Sequence, residues 1–136
     1  MNISFADMGD YGFLLEYDRH IRPEELRALL KQRRVLLLWR GEERIGWLRW
    51  SLFWDNTPFM NLLYVLEGYR GQGCGRALVS RWEEQMRAEG YATLLTSSQS
   101  DEQAQHFYRK LGYADCGSLL LPGEPLEIIF RRDIRL

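Results

Sequence analysis

The apolar residues in the first half of the chain predict a group of β-strands. Val35–Trp39 is a continuous apolar run, which is typical of a strand buried on both faces. From Arg44 to Trp54 successive side chains alternate between two faces, and Phe59–Leu66 resumes this pattern after a turn-forming segment. Residues 2–6 add a short strand at the start of the chain. We therefore expect strands joined by hairpins in this half.

The alternation between Arg44 and Trp54 leaves the tryptophans open to two interpretations. A period of two places Trp47 on the opposite face from Trp50 and Trp54. Either helices cover both faces, so that all of these side chains lie in the core, or one set faces a binding groove or a second copy of the chain.

Four segments have apolar residues at helical spacing instead. The predicted helices are Asp10–Tyr17, the segment that begins at Pro23, Arg76–Glu89 and Asp101–Leu111. Between and after the last two, the predicted strands are Tyr91–Ser97, Ser118–Leu121 and Leu126–Arg132. Strands and helices in this order predict a mixed α/β fold with a single sheet.

Length and composition narrow the class of protein. A chain of 136 residues is expected to form one domain over residues 1–136. Its 18 basic and 19 acidic residues give a net charge of −1, so we expect no nucleic-acid partner. The first residues lack the pattern of a signal peptide, and every apolar run is far shorter than the about 20 residues that span a bilayer. We therefore expect a cytoplasmic protein without a membrane partner.

The cysteines and histidines point to no metal centre. Cys74 and Cys116 are too few for a disulfide scaffold. His20 and His106 lie far apart in the sequence, with no Cys or carboxylate at the spacing of metal ligands. We expect a protein without a bound metal.

The most informative segment is a glycine-rich loop between a predicted strand and a predicted helix. Gly71, Gly73 and Gly75 allow the backbone to approach a ligand closely, with Arg70 and Arg76 beside them. The N–H groups at the start of the following helix favour an anion, best a phosphate or pyrophosphate. The spacing matches neither G-x-G-x-x-G nor the P-loop motif. The alternative is a glycine-rich turn that binds nothing.

Two segments together resemble the GNAT superfamily of acetyl-CoA-dependent N-acetyltransferases. Val65–Gly75 is similar to motif A of that family, whose core [RQ]-x-x-G-x-[GA] corresponds to Arg70, Gly73 and Gly75. Ala104–Tyr113 resembles a second family pattern, A-x-x-F-Y-x-K-x-G-[FY]. The resemblance implies the GNAT fold, a mostly antiparallel twisted sheet of about six or seven strands flanked by about four helices.

The resemblance also implies acetyl-CoA as the cosubstrate. In such enzymes the motif A strand bonds the pantetheine arm through its backbone, and the loop amides hold the pyrophosphate. The residues assigned in this way to acetyl-CoA are Leu63, Val65, Arg70, Gly71, Gln72, Gly73, Cys74, Gly75, Arg76, Asp101 and Tyr108. Asp101 stands where relatives often have Asn, and its alternative role is the N-cap of the predicted helix. We interpret the Cys74 side chain as a small buried hydrophobe.

For catalysis the resemblance assigns Tyr108 as the general acid beside the thioester sulfur. A phenol with a pKa of about 10 can donate to a leaving thiolate whose conjugate acid has a pKa of about 8.5. The alternative is one more aromatic side chain in the core. The base is less clearly marked, since the motif A strand carries no acid before Glu67. The candidates are Glu67, for which solvated surface is the alternative, Asn61 holding a water, and Asp55.

These residues predict an acyltransferase that moves acetyl from acetyl-CoA to a primary amine by direct attack in a ternary complex. Small amines, antibiotic amines and protein amines all stay open as acceptors. We expect the acceptor site from residues 10–34, the turn before Phe59 and the segment near 115–125. The alternative function is a CoA-binding sensor or interaction module without catalysis. A homodimer through the Trp-bearing strands or the last strand is a further expectation, and bulky aromatic residues favour acetyl over longer acyl groups.

Overall fold

A computed structural model describes residues 1–135 of the chain. Its strands and helices are β1 (Asn2–Phe5), α1 (Tyr11–Tyr17), α2 (Pro23–Lys31), β2 (Val35–Arg40), β3 (Glu43–Phe53), β4 (Thr57–Val65), α3 (Cys74–Ala88), β5 (Thr93–Gln99), α4 (Ala104–Lys110), β6 (Ala114–Leu119) and β7 (Glu127–Asp133). Short 3-10 helices lie at Met8–Asp10 and Glu67–Tyr69. Within residues 1–135, no helix is long and apolar enough to cross a membrane.

The strands found in residues 1–135 form one seven-stranded sheet in the order β1-β2-β3-β4-β5-β7-β6. β4 and β5 run parallel, with Phe59 opposite Leu95 and Met60 opposite Thr96. The pairs β1/β2, β2/β3, β5/β7 and β6/β7 are antiparallel. Together with four α-helices in the same residues, this sheet confirms the predicted mixed, mostly antiparallel fold.

The chain groups into two compact units. Unit 1 comprises Met1–Ser51 and Leu62–Trp82, and unit 2 comprises Leu52–Asn61 and the chain from Glu83 onward. Each unit has strands, helices and buried apolar side chains of its own. The expectation of a single domain over residues 1–136 stays a prediction.

The core of unit 1 covers both faces of β3. On one face Trp47 packs with Leu14 and Leu26 from the two N-terminal helices. Trp50, 2% exposed, lies 6.3 Å between ring centroids from Trp82 of α3, which is fully buried. The structure therefore answers the question left open by the alternation: Trp47 and Trp50 are both core residues. Trp54 follows β3 in the turn and is 80% exposed.

In unit 2 a partly buried polar network links several elements. Glu83 Oε2 accepts a hydrogen bond from the Tyr113 hydroxyl at 2.8 Å and one from Arg132 Nη1 at 3.2 Å. Burial and the neighbouring Glu83 carboxylate raise the pKa of Tyr113 far above its usual range. Glu83 thus ties the end of α3 to the segment after α4 and to β7.

The prediction that a helix begins at Asp101 was wrong at its start. The helix α4 begins at Ala104, and its N-cap position is Gln103, whose side chain makes no capping bond. Residues 100–103 instead form turns, because Glu102 Oε1 accepts from the Gln99 N–H at 2.8 Å. The Gln105 amide donates to the Ser100 carbonyl at 2.8 Å and holds the same turn. Asp101 is therefore not the N-cap, and it is exposed.

Candidate active site

The glycine loop lies where the sequence predicted it, between β4 and α3. Gly71 and Gly73 have φ values of 73° and 83°, a left-handed conformation that other residues adopt only with strain. The first hydrogen bond of α3 runs from the Ala77 N–H to the Gly73 carbonyl at 3.0 Å. The N–H groups of the residues at the start of α3 therefore have no partner inside the helix. They form the positive end of the helix dipole.

The space above this loop is open to a ligand. An ideal Cβ built at Gly71 or Gly73 meets no heavy atom within 4 Å among the described residues. Arg76 is exposed at the start of the helix. Cys74 is only 2% exposed and its Sγ lies 3.7 Å from the Met1 sulfur, so its side chain faces inward as expected. Open backbone amides beside an exposed guanidinium fit a phosphate group.

Arg70 binds the end of β4 in this structure. Its Nε donates to the Val65 carbonyl at 2.8 Å, and its guanidinium lies over the Tyr64 ring, 5.2 Å from the ring centroid. The Leu66 N–H donates to the Ile45 carbonyl at 2.9 Å. Because a trans peptide points its N–H and C=O in opposite directions, the Val65 carbonyl faces away from β3. The Nε–H of Arg70 is used in this bond, so the predicted contact with a pyrophosphate falls to its Nη groups or to a guanidinium that has left this position.

The other predicted residues of β4 and its end lie as follows. Leu63 and Val65 are half-buried on the strand. Asn61 is exposed on the same strand, and Glu67 is exposed in the 3-10 helix that follows it. The Glu67 carbonyl accepts a hydrogen bond from the Arg70 N–H at 3.3 Å. Asp55 is exposed in the β3–β4 turn with a φ of 62°.

Tyr108 lies in the core of unit 2, where it is 6% exposed. Its side chain hydrogen-bonds with Thr96, and the Thr96 hydroxyl donates to the Met60 carbonyl at 3.0 Å. Burial raises the pKa of Tyr108 to about 12, although the bond to Thr96 lowers it. The ring also packs 5.9 Å between centroids from Phe130. Tyr108 is thus a core aromatic that carries a protonated, positioned hydroxyl.

Unit 1 contains a pocket that the sequence analysis did not foresee. Its volume is about 300 Å³. Its charged and titratable lining residues are Glu16, Asp18, Arg19 and His20. Its aromatic and apolar lining residues are Tyr17, Trp47, Leu62 and Tyr64. Residues 16–20 lie within the 10–34 segment that was expected to contribute to the acceptor site.

A buried ion pair shapes the wall of this pocket. Asp18 Oδ2 accepts from Arg49 Nε at 2.7 Å and from Trp47 Nε1 at 3.2 Å. Asp18 Oδ1 accepts from Arg49 Nη2 at 3.3 Å and from the His20 N–H at 3.2 Å. One carboxylate therefore fixes the loop after α1, the indole of Trp47 and the guanidinium of Arg49. The only sequence signal was Arg49 between the apolar residues Leu48 and Trp50 of β3, which gave no indication of its partner.

Comparison with known proteins identifies the family. The sequence profile of the acetyltransferase (GNAT) family matches residues 6–113. This match spans most of the chain and includes both motifs described above. The chain belongs to the acetyltransferase (GNAT) family, as its resemblance predicted.

Two curated relatives match part of the chain. A mycothiol acetyltransferase from Corynebacterium glutamicum (strain R) is 34% identical over 85 residues, which are 58% of this chain and 27% of that protein. The protein YyaT from Bacillus subtilis (strain 168) is 30% identical over 90 residues, which are 66% of this chain and 59% of that protein. The matched segments thus span about a quarter and about three fifths of these relatives.

Solved structures share the fold along the whole chain. Escherichia coli ribosomal-protein-S18-alanine N-acetyltransferase superposes with a TM-score of 0.83 at 18% identity, covering 99% of this chain and 94% of that one. YncA from Salmonella typhimurium, solved with its cofactor acetyl-CoA, superposes with a TM-score of 0.81 at 20% identity, covering 100% of this chain and 95% of that one. Ard1 from Thermoplasma volcanium gives a TM-score of 0.85 at 15% identity, covering 99% of this chain and 98% of that one. The GNAT fold is therefore confirmed.

Proposed function

We propose that this protein is an N-acetyltransferase that transfers the acetyl group of acetyl-CoA to a primary amine by direct attack in a ternary complex. The observation that carries the proposal is the open glycine loop at the start of α3, with Gly71 and Gly73 in left-handed conformations. Such a loop suits a pyrophosphate. Membership of the acetyltransferase (GNAT) family supports acetyl-CoA as the molecule that carries this pyrophosphate.

In this proposal each part of the loop has its own role. The N–H groups from Gly71 to Arg76 hold the pyrophosphate, because they point outward at the positive end of the helix dipole. Arg76 adds a charged donor from an exposed position. Gln72 and Arg70 lie at the edge of the loop, and Arg70 exchanges the Val65 carbonyl for a phosphate oxygen when the cosubstrate binds. That exchange leaves the Val65 carbonyl free to accept from the pantetheine arm. Leu63 offers its backbone to the same arm, and Asp101 is proposed as a further contact.

The reaction forms a bond between the amine nitrogen and the acetyl carbon, and breaks the bond between that carbon and the CoA sulfur. The products are an N-acetyl amine and free CoA thiol. Tyr108 donates its hydroxyl proton toward the leaving sulfur. Its pKa of about 12 keeps the phenol protonated at physiological pH, so the donor is always present. The thiol formed has a pKa of about 8.5, which is well below that of Tyr108. The hydroxyl therefore stabilises the leaving sulfur by donating a hydrogen bond, more than by transferring its proton completely.

The nucleophile must lose a proton during the reaction. We propose two routes for it. Glu67 is an exposed carboxylate at the end of β4, and it acts as the base if the amine or its water reaches that end. In the second route the residue is Asn61, which is exposed on β4 four residues before Val65. It holds a water that carries the proton to solvent. The two routes separate by substitution, since Glu67→Gln should lower kcat/KM if Glu67 is the base and leave it unchanged if the proton leaves through the water at Asn61.

A CoA-binding module without catalysis is the second candidate function. It is favoured by one observation, the absence of a carboxylate on β4 itself between Thr57 and Val65. It predicts acetyl-CoA binding without amine-dependent thiol release. The positioned hydroxyl of Tyr108 favours the enzyme over this module, since a binding module has no need of a protonated donor in its core.

The experiment that tests the proposal combines binding with turnover. Thermal melting is measured with acetyl-CoA, CoA and ATP, followed by thiol release with a panel of amines. A ligand at about 100 times its Kd adds about 2.7 kcal/mol to stability, so both CoA species should raise Tm clearly and ATP should not. Amine-dependent thiol release then supports the enzyme. No rise in Tm with saturating acetyl-CoA would contradict the proposal.

A further inference from the structure

The pocket in unit 1 has a wall of aromatic rings that pack against one another at tilted angles. Trp47 and Tyr64 lie 4.9 Å apart between ring centroids, at an interplanar angle of 32°. Trp47 is fully buried and Tyr64 is 38% exposed, so the inner ring is fixed in the core and the outer ring is accessible. Tyr17, whose ring centroid lies 4.6 Å from that of Phe13 at an angle of 30°, adds a third ring to the lining. Such a wall offers flat apolar surface to a bound molecule.

The charges around this wall nearly cancel. The Asp18 carboxylate already accepts four hydrogen bonds, two of them from Arg49, so its charge is neutralised within the wall. Glu16 and Arg19 are exposed lining residues of opposite sign. Since Asp18 is paired with Arg49, the opposite charges of Glu16 and Arg19 leave the lining without excess charge from its carboxylates and guanidinium. An acceptor with several ammonium groups would find only one carboxylate here that is not already paired within the described residues.

The pocket also reaches the strand at which chemistry is proposed. Leu62 lines it, and Leu63 is the next residue of β4, whose backbone is assigned to the cosubstrate. An amine that enters beside Leu62 therefore approaches the strand near the proposed position of the thioester. The aromatic wall then holds the body of the molecule behind the amine. A volume of about 300 Å³ matches the smallest common small-molecule sites.

We propose that this pocket binds the acyl acceptor, and that the acceptor is a small monoamine with a flat, apolar body. The body packs against the accessible rings of Tyr64 and Tyr17, with Trp47 supporting Tyr64 from the core, and Glu16 attracts the single ammonium group as it enters. This inference rests on the proposed acetyltransferase function. It adds the class of acceptor, which neither the family nor the fold supplies.

The first test compares acceptors on the wild-type protein at saturating acetyl-CoA. Phenethylamine is the probe for the proposed class, n-butylamine lacks the ring, and spermidine carries several charges. One aromatic contact is worth about 0.5–1.5 kcal/mol beyond its buried area. We therefore expect kcat/KM to be about tenfold higher for phenethylamine than for either of the others. A kcat/KM for n-butylamine or spermidine equal to or above that for phenethylamine would overturn the proposed class.

The second test changes the pocket and leaves the rest of the fold alone. Tyr64→Ala and Tyr17→Ala each remove an accessible ring, and Tyr91→Ala, outside the pocket lining, is the control. Glu16→Gln is matched by Glu24→Gln on the neighbouring helix. We expect the pocket variants to raise KM for phenethylamine about five- to tenfold and the controls to leave it unchanged. Equal KM values in the pocket variants and the wild type would overturn the proposal.

A binding measurement separates this inference from the proposed function. Phenethylamine is titrated by NMR into protein saturated with CoA, so that no turnover is needed. Binding that weakens in Tyr17→Ala supports the pocket even if thiol release is absent, in which case only the proposed catalysis fails. Thiol release with other amines, together with no binding of phenethylamine, overturns the pocket proposal and leaves the proposed catalysis standing. Tyr17→Ala is the reference variant here because its ring, unlike that of Tyr64, does not contact Arg70.

Discussion

Asp18 and Arg49 form a buried ion pair, with Arg49 Nε 2.7 Å from Asp18 Oδ2. The Asp18 side chain is fully buried and that of Arg49 is 6% exposed. Because Trp47 Nε1 donates to the same carboxylate, the pair fixes an aromatic ring as well as two charges. Replacement of both partners of a buried pair by apolar residues is often neutral for stability, so what this pair adds is a fixed position for the Trp47 ring at the pocket.

The ion pair gives a prediction about stability. Asp18→Ala leaves the Arg49 guanidinium buried without its partner, and we expect a loss of about 3–5 kcal/mol in the free energy of unfolding, measured with urea. Asp115→Ala is the matched control, because it breaks the exposed ion pair with Arg109 and should change stability little. Similar losses in both variants would show that the burial of Asp18 has no energetic consequence.

Tyr108 gives a prediction about catalysis. Tyr108→Phe removes only the hydroxyl that is proposed to donate to the leaving sulfur, and we expect kcat to fall about 10²-fold or more with the Kd for acetyl-CoA unchanged. Tyr113→Phe is the control, since it removes another buried hydroxyl, the one bound to Glu83. It should lower stability and leave kcat close to that of the wild type. If Tyr108→Phe releases thiol at the wild-type rate, the tyrosine is a core residue only.

The raised pKa of Tyr108 predicts how stability depends on pH. Its value moves from 10.0 to about 12 on folding because burial disfavours the phenolate. The folded state therefore holds the proton more tightly, and stability falls as pH rises from about 10 to about 12. Two pH units correspond to about 3 kcal/mol. Urea unfolding of the wild type and Tyr108→Phe across this range should show a shallower loss in the variant. Equal losses of stability in the wild type and the variant would contradict the raised pKa of Tyr108.

The glycine loop gives a prediction about cosubstrate affinity. Gly73→Ala forces a side chain into a conformation with a φ of 83° and projects a methyl group into the open space above the loop. We expect the Kd for acetyl-CoA to rise at least about tenfold. Gly123→Ala carries a matched strain, with a φ of 76° and open surroundings, in the turn before β7. It should cost similar stability, about 1–2 kcal/mol, and leave the Kd unchanged.

Periodicity and two motifs were enough to predict the fold. Continuous apolar residues marked β2, alternation marked β3, and the loop from Gly71 to Gly75 was found where it was expected. These features are local: each depends on residues within one element or one turn, so the sequence displays them directly. The start of α4 was missed because residues 100–103 have a sequence that is compatible with a helix. In the structure they form turns, which the side chains of Glu102 and Gln105 hold by hydrogen bonds to the backbone.

The pocket of unit 1 could not be predicted for a different reason. It depends on the meeting of Asp18 and Arg49, which are 31 positions apart. Neither residue stands out, since a charged residue after α1 is ordinary and Arg49, one of two arginines in β3, fits the exposed face of a strand. Only the folded chain shows that both faces of β3 are buried, and that this Arg therefore requires a partner.

The most direct test of the account is amine-dependent thiol release from acetyl-CoA, measured together with the N-acetyl product by mass spectrometry. With phenethylamine as acceptor, we predict one equivalent of N-acetyl product for each equivalent of thiol, and no thiol release above background without the amine. Tight binding of acetyl-CoA with no amine-dependent product from any acceptor would contradict the account and assign the protein to the CoA-binding modules.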